Sequence, residues 1–506
     1  MLDVDAVKLK EENKILRAGM STLSMKAKTQ EKTIKALEDN IEKKVLEAVN
    51  QAVSKVESKY EKIIDDLKNK ITKLEAKLNI DSTNSSLPPT KNSISKKITN
   101  LREKSGKSKG GQVGHARHIL KPFADDEIDE IRRHSLTKCP CCSGELKHKN
   151  TVTSDIIDFE IATTRTRNEI NQYYCKSCKK EVSSNSTLPR GVSYGSNINA
   201  SSIILMNDAN TPLNKVRKYY DGLTEGEIVL SEGYLAKLQA KTASKLDSFM
   251  NELKSVILKS KIVHWDDTVI NINASPGCLR FYGNEKLAYL VSHESKKKEG
   301  IKEDGILSLL GEDTTVMHDH VLYNYNPEFE FRNAECNAHI LRYLKGVSDN
   351  IHDHSWEKEM GKLLLEANEN RSGKESYIKE INQRYDDAIS LGYQENNNLM
   401  DYHFYKGEEL KLIKRLEKYK DAHLLFVKDF DVPFSNNTAE RSFRISKSKI
   451  KISGLFQNIN TARNYAKILS YMETCYRNGK NKYEAVKRLL DGNPYTVKEL
   501  LDHSNS

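Results

Sequence analysis

Residues 261–272 read KIVHWDDTVINI, and this stretch decides how the rest of the chain is arranged. Branched and aromatic side chains dominate it, a composition that predicts a β-strand. Successive side chains of a strand point to opposite faces of a sheet, so Asp266 and Asp267 cannot both enter one site. One of the two aspartates is therefore a candidate site residue, and the other is a bystander.

More strands are predicted to follow this one. Segments 279–282, 287–291 and 315–318 have a similar composition, and the last of them continues into Asp319. From residue 336 to about residue 428 the pattern is helical. Strands followed by helices predict an α+β arrangement, a mixed sheet with helical cover. Cys336 and His339 stand three apart at the start of this helical part, and such a pair is more often a packed helix face than a metal site.

A third acid, Glu440, stands in the stretch PFSNNTAERSFR that ends at Arg444. Asn436 or Asn437 is predicted to cap a helix here, because an Asn side chain satisfies unpaired amides at a helix start. On one continuous helix Glu440 would share a face with Arg441 and Arg444. A Glu beside two Arg residues is more often an exposed ion pair than a catalytic site, so its meaning depends on partners elsewhere in the chain.

Three acids thus come from three separate segments: Asp266, Asp319 and Glu440. They are 53 residues (266 to 319) and 121 residues (319 to 440) apart. Acids brought together from strands and a helix can hold two Mg²⁺ or Mn²⁺ ions about 3.5–4 Å apart. Such a pair of ions activates an attacking oxygen and stabilises a leaving one, which is the main requirement of phosphodiester cleavage and transfer.

Five of the eight cysteines cluster between residues 139 and 178. Cys139 and Cys142 are separated by two residues, and so are Cys175 and Cys178. Four thiolates in this pattern predict a closed tetrahedral Zn²⁺ site of structural type, within a zinc-binding domain at 126–190. Cys141 is a spare thiol that could compete as a ligand.

The first 80 residues predict a coiled coil, because apolar residues recur at steps of three and four with charged residues between them. A helix with one apolar seam needs a partner helix, which a second copy would supply as a homodimer or higher oligomer; the alternative is an intramolecular helical hairpin. The seam residues are Val53, Val56, Tyr60, Ile64, Leu67, Ile71, Leu74 and Leu78.

A basic linker, 81–125, follows the coiled coil and is rich in lysine, arginine and glycine. Its residues Lys96, Lys97, Arg102 and Lys104 are candidates for contact with DNA phosphates, and a solvated tail is the alternative. The segment 191–255 is predicted to be helical. It is compatible with a helix-turn-helix that binds DNA, and equally with an ordinary helical linker.

Length and composition limit the number of domains and the kinds of partner that the chain can have. A chain of 506 residues is long enough for about three domains, and 30% of its residues are charged and 37% hydrophobic. No apolar run has the length of a membrane span, and the first residues lack an apolar signal-peptide core, so a cytoplasmic protein with no membrane partner is expected. The net charge of +10 is unevenly placed, which favours a polyanionic partner.

Several blocks of the sequence, in order, resemble the transposases of the insertion sequence sixty-six family. The blocks are NSSLPP at 84–89, GGQVGH at 110–115, HWDDT at 264–268, HDH at 318–320, CNAHILR at 336–342 and NNTAER at 436–441. There are two departures: Ser435 stands where many members have Asp, and Asp267 stands where the family has Glu. Neither departure removes one of the three acids.

The resemblance implies an RNase H-like catalytic domain at 256–460, with a helical insertion at about 345–428 and a C-terminal helical segment at 461–506. It selects Asp266, Asp319 and Glu440 as a DDE triad that holds Mg²⁺ or Mn²⁺. It implies a DNA transposase that binds terminal inverted repeats and cleaves and transfers strands of double-stranded DNA, with accessory proteins of the same element as further partners.

Two roles stay open for Arg441 and Arg444, which would contact phosphate or brace Glu440. Two rival functions also stay open: a catalytically decayed, zinc-dependent DNA-binding scaffold, and a nuclease that cuts without joining.

Overall fold

The computed structural model describes residues 2–79, 84, 122–159, 161–184, 191–401 and 403–502. The basic residues Lys96, Lys97, Arg102 and Lys104 lie outside these ranges. Across the described ranges, no helix is long and apolar enough to cross a membrane.

The N-terminal segment forms one continuous helix, α1 (Leu2–Asn79), of 78 residues. Because the helix has no break, the described residues do not form the alternative helical hairpin. The predicted seam lies on the surface of the single chain: Val53 is 47% exposed and Leu67 is 52% exposed.

The cysteine-rich segment contains a two-stranded antiparallel sheet, β1 (Gln172–Cys175) and β2 (Lys180–Ser183). Cys175 is the last residue of β1, Cys178 lies in the turn between the strands, and Lys179 closes this turn with a positive φ of 55°. Cys139 lies in a second tight turn, where its carbonyl accepts the N–H of Ser143 at 2.8 Å.

The larger sheet has five strands in the order β5-β4-β3-β6-β7. Strand β4 runs antiparallel to both β3 and β5, whereas β6 and β7 continue the sheet on the other side of β3 and run parallel to it. The predicted mixed sheet is therefore confirmed. The strands are β3 (Ile262–Ile272), β4 (Ser275–Gly283), β5 (Ala288–His293), β6 (Thr315–His318) and β7 (Arg332–Glu335).

One face of this sheet packs against helices from before and after it in the chain. A single hydrophobic core contains Leu253 from the preceding helices, Trp265 from β3 and Tyr471 from the C-terminal helices. This core therefore includes residues from both sides of positions 255 and 460. The helices are α2 (Ser196–Asn207), α3 (Leu213–Leu223), α4 (Glu232–Ser244), α5 (Asp247–Ile257), α15 (Ile459–Arg477), α16 (Lys482–Leu490) and α17 (Val497–Asp502).

The helices between the sheet and Glu440 form a second core around Trp356, Tyr385 and Phe426. They agree with the predicted helical stretch from 336 to about 428. The helices are α7 (Asn337–Asn350), α8 (Trp356–Glu369), α9 (Glu375–Asn398), α10 (Lys406–Lys418), α11 (Lys420–His423) and α12 (Leu425–Lys428). A short helix, α6 (Lys298–Asp304), lies between β5 and β6.

A buried carboxylate joins this helical insertion to the sheet. Glu335, the last residue of β7, accepts hydrogen bonds from Arg415 at 2.7 Å, His320 at 2.6 Å and His423 at 3.1 Å. Burial alone would raise the pKa of Glu335, but hydrogen bonds from the two histidines and the charge of Arg415 outweigh it and lower the pKa. Glu335 therefore carries a paired charge inside the protein, one residue before Cys336.

Candidate active site

The pairing of β3 with β6 places two of the predicted acids side by side. Ile262 lies opposite Thr315, 53 residues further on, and His264 lies opposite Met317 with the same offset. Asp319 follows Asp266 by the same 53 residues. Continued by two residues, the register of two parallel strands brings these carboxylates level with each other, on the same face of the sheet.

Asp267 points to the other side of β3, as the alternation of the strand predicts. Its carboxylate pairs with Lys296, and its backbone N–H donates to Asp266 Oδ1 at 2.7 Å. Trp265 points to the same face of the sheet as Asp267. It belongs to the core that includes the helices directly before the sheet, α2 to α5, and the C-terminal helices. Asp266 thus faces the side of the sheet on which Glu440 lies.

The environment of Asp266 disfavours its negative charge. Burial raises the pKa of Asp266 well above its ordinary value, and the neighbouring charge of Asp319 raises it further. The positive charge of Lys447 offsets only part of this effect. Two neighbouring, partly buried carboxylates form a donor set that suits a divalent cation.

A histidine lies between the second acid and the third. His339, in the first turn of α7, has Nδ1 2.9 Å from Asp319 Oδ1 and Nε2 3.8 Å from Glu440 Oε1. Arg342, one turn further along α7, donates from Nη2 to the same Glu440 oxygen at 3.1 Å. The structure therefore brings Asp319 and Glu440 together at the start of α7, with Asp266 beside Asp319.

Glu440 lies on a short helix, α13 (Asn437–Ser442), for which Asn436 is the N-terminal cap residue. The Asn436 side chain does not cap this helix, contrary to one of the two predicted roles. It is fully buried, accepts from His264 Nδ1 at 2.9 Å and donates to the Trp265 carbonyl at 3.0 Å. Asn436 thus ties the helix of Glu440 to the strand of Asp266.

The predicted single helix from Asn437 to Arg444 is in fact two helices. The chain bends at Phe443, and Arg444 begins α14 (Arg444–Ser453). Arg441 Nη2 lies 3.6 Å from Glu285. The arginine that contacts Glu440 is Arg342, which came from a block noted only for its resemblance.

Cys336 packs in the second hydrophobic core, as the sequence-based preference predicted, and Cys336 and His339 also lie beside Asp319. Ligand atoms of Asp319, Cys336 and His339 lie within 4.8 Å of one another, the one set of three or more such groups in the described part of the chain. Burial, and after it the charge of Asp319, raises the pKa of the Cys336 thiol to about 12. The sequence signal for a place beside the site was that both residues follow directly after a strand of the sheet.

The cysteine-rich segment shows two separate turns. Backbone N–H groups of Cys141 and Cys142 lower the pKa of Cys139, and those of Cys178 and Ser177 contribute to lowering the pKa of Cys175. Thiolates are thus favoured in both turns. Cys139, Cys142, Cys175 and Cys178 do not form one ligand group among the residues described.

The site, with acids from separate segments beside a mixed sheet, resembles those of proteins that bind a divalent cation through carboxylates. A model of the Transposase IS66 family matches residues 191–464, a segment that includes all three acids and more than half of the chain. The chain belongs to the IS66 family of transposases, so the resemblance found in the sequence is confirmed. A search among curated proteins gave no match.

Proposed function

We propose that this transposase cleaves and transfers DNA strands with a divalent cation held by Asp266, Asp319 and Glu440. The observation that supports this most directly is the convergence of three acids from distant segments. The β3–β6 register aligns two of them, and His339 lies within 4 Å of the carboxylates of both Asp319 and Glu440.

The residues present fit a hard divalent cation. Asp319 Oδ1 is buried and makes no hydrogen bond in the described structure, and Asp266 is kept from ionising freely by burial and by its neighbour. A bound Mg²⁺ or Mn²⁺ would neutralise charge on the reacting phosphate and orient the oxygens in line. Asp266 and Asp319 would be its main ligands, with Glu440 completing the set.

The other residues of the site then act on these ligands. Arg342 contacts one carboxylate oxygen of Glu440 and leaves the second oxygen to bind a cation or a group attached to the phosphate. Asn436 fixes the distance between the helix of Glu440 and β3. The pKa of Asp266 is raised by burial and by the charge of Asp319, and a bound cation would favour the ionised form of this carboxylate.

Other predicted features are part of the same proposal. Three antiparallel strands followed by two parallel ones support an RNase H-like fold for the sheet. The thiolate-favouring turns at Cys139 and Cys175 support a Zn²⁺ module at 126–190, and the unbroken α1 with its apolar seam supports pairing of two chains. The basic linker and the 191–255 helices would hold the element's ends.

The decisive experiment measures Mg²⁺-dependent cleavage of DNA that carries the element's terminal repeats. Asp319→Asn and Glu440→Gln should abolish cleavage. Asp267→Asn is the matched control, because it changes the adjacent aspartate that faces the other side of β3, and it should retain activity. Equal activity in wild type and Asp319→Asn would contradict the assignment. Cleavage without joined target products would show a nuclease instead of a transposase.

The zinc module has its own test. Cys175→Ser should lower the zinc content and weaken DNA retention, whereas Cys141→Ser, the spare thiol, should change neither. Unchanged zinc content in Cys175→Ser would contradict the module.

A further inference from the structure

We propose that Asp319, Cys336 and His339 form a second kind of cation site, one that takes a soft transition-metal ion such as Zn²⁺. This site would share Asp319 with the catalytic set. A soft ion bound there would therefore compete with Mg²⁺ and inhibit the enzyme.

The first observation concerns two buried polar atoms that contact each other without a hydrogen bond. Asp319 Oδ1 and His339 Nδ1 are both buried and face each other at 2.9 Å, yet neither makes a hydrogen bond. His339 is only 7% exposed. Buried polar atoms normally have a hydrogen-bond partner. The ion-pair contact between these two atoms is their one short polar contact among the described residues, so both are candidate ligands for a cation beside them.

The second observation concerns the third ligand. Cys336 Sγ completes a set whose ligand atoms all lie within 4.8 Å of one another. This separation suits ligands around one ion, because Zn²⁺ bonds to sulfur at about 2.3 Å and to nitrogen or oxygen at about 2.0–2.2 Å. Sulfur and imidazole ligands select Zn²⁺ over Mg²⁺, which prefers oxygen.

The fold holds these ligands in place. The Cys336 N–H donates to the His318 carbonyl at 3.0 Å, which fixes the start of α7 beside Asp319. The Cys336 sulfur accepts the Asn436 N–H at 3.2 Å. A hydrogen bond to the sulfur orients this ligand as outer-shell partners do in metal sites. Binding of the ion would release the thiol proton to solvent.

The competition follows from the shared carboxylate. When Asp319 is held by a soft ion at Cys336 and His339, it is no longer free to serve Asp266 and Glu440. Inhibition rests on the proposed function, whereas binding of the ion does not, so the two can be tested apart.

The binding test measures Zn²⁺ per chain by equilibrium dialysis of the full-length protein without DNA. Cys336→Ser and His339→Gln should each bind one ion fewer than wild type. Cys475→Ala is the matched control, because it removes an equally buried thiol from the hydrophobic core, and it should bind as much as wild type. Serine at 336 keeps an acceptor for the Asn436 N–H, and thermal unfolding without metal checks that each variant is folded.

Equal zinc content in all four proteins would overturn the inference, whether or not cleavage is observed. If zinc content differs as expected but no protein cleaves DNA, the proposed function fails and the zinc site stands. If cleavage is observed, added Zn²⁺ should lower the Mg²⁺-supported rate of wild type, and an unaffected rate at saturating zinc would overturn the competition.

Discussion

Replacing Asn436 by alanine tests whether one buried amide holds the site together. The substitution removes the acceptor for His264 Nδ1 and the donor to the Trp265 carbonyl. Each buried partner left without a hydrogen bond costs about 1–3 kcal/mol. Because a water molecule can enter and satisfy one of them, one unsatisfied partner remains, and we expect the free energy of unfolding to fall by about 1–3 kcal/mol. The backbone hydrogen bond to Cys336 Sγ is retained.

The neighbouring Asn437 provides the control, because its side chain is exposed and makes no hydrogen bond to the described residues. Asn437→Ala should change the free energy of unfolding by no more than about 0.5 kcal/mol. Urea unfolding followed by tryptophan fluorescence suits this comparison, since Trp265 lies at the altered contact. Cleavage by Asn436→Ala should lose kcat more than KM for DNA, because Glu440 shifts relative to Asp266 while the DNA-binding surface stays intact. Equal unfolding midpoints for the two alanine variants would refute this account of Asn436.

Three more predictions follow from neighbouring contacts. Arg342→Ala removes a charged hydrogen bond to Glu440, worth about 1.5–3 kcal/mol, so cleavage should slow by roughly 10–100-fold; Arg384→Ala, which breaks an ion pair with Glu366 in the insertion, should leave the rate unchanged. Glu335→Gln leaves the largely buried guanidinium of Arg415 without its carboxylate and should destabilise the fold by about 3–5 kcal/mol in urea unfolding, whereas the exposed Glu408→Gln should have little effect. The stability that protonated Asp266 provides is present at low pH and lost as the pH rises through its raised pKa. Mg²⁺ should therefore raise the melting temperature of wild type more at about pH 8 than at about pH 5. If Mg²⁺ raises the melting temperature of Asp266→Asn by the same amount as that of wild type at both pH values, this prediction is wrong.

Much of the sheet could be predicted from side-chain pattern. Strand β6 was predicted with the bounds it has, and β3 to within one residue. The first half of β4 was missed because it contains Pro276 and Gly277, which interrupt a strand pattern. Strand β7 was missed because its four residues, RNAE, carry three polar side chains and are stabilised by pairing with β6.

The supporting residues of the site were harder to predict because tertiary contacts decide their roles. Asn436 and Asn437 are equivalent in the sequence, and only burial separates the one that ties two segments from the one that faces water. His339 and Arg342 lie on a helix whose pattern is explained equally well by packing. Their proximity to Asp319 and Glu440 depends on how α7 leaves the end of β7, which no local pattern contains.

The ladder between β3 and β6 has a consequence for how this protein can vary. Asp266 and Asp319 are aligned by the pairing of Ile262 with Thr315. The length of the segment that connects β3 to β6 therefore does not set the distance between the two carboxylates. Loops in that connecting segment can accept insertions or deletions while the two carboxylates keep their alignment. A one-residue slip of the ladder itself would turn one of them to the opposite side of the sheet.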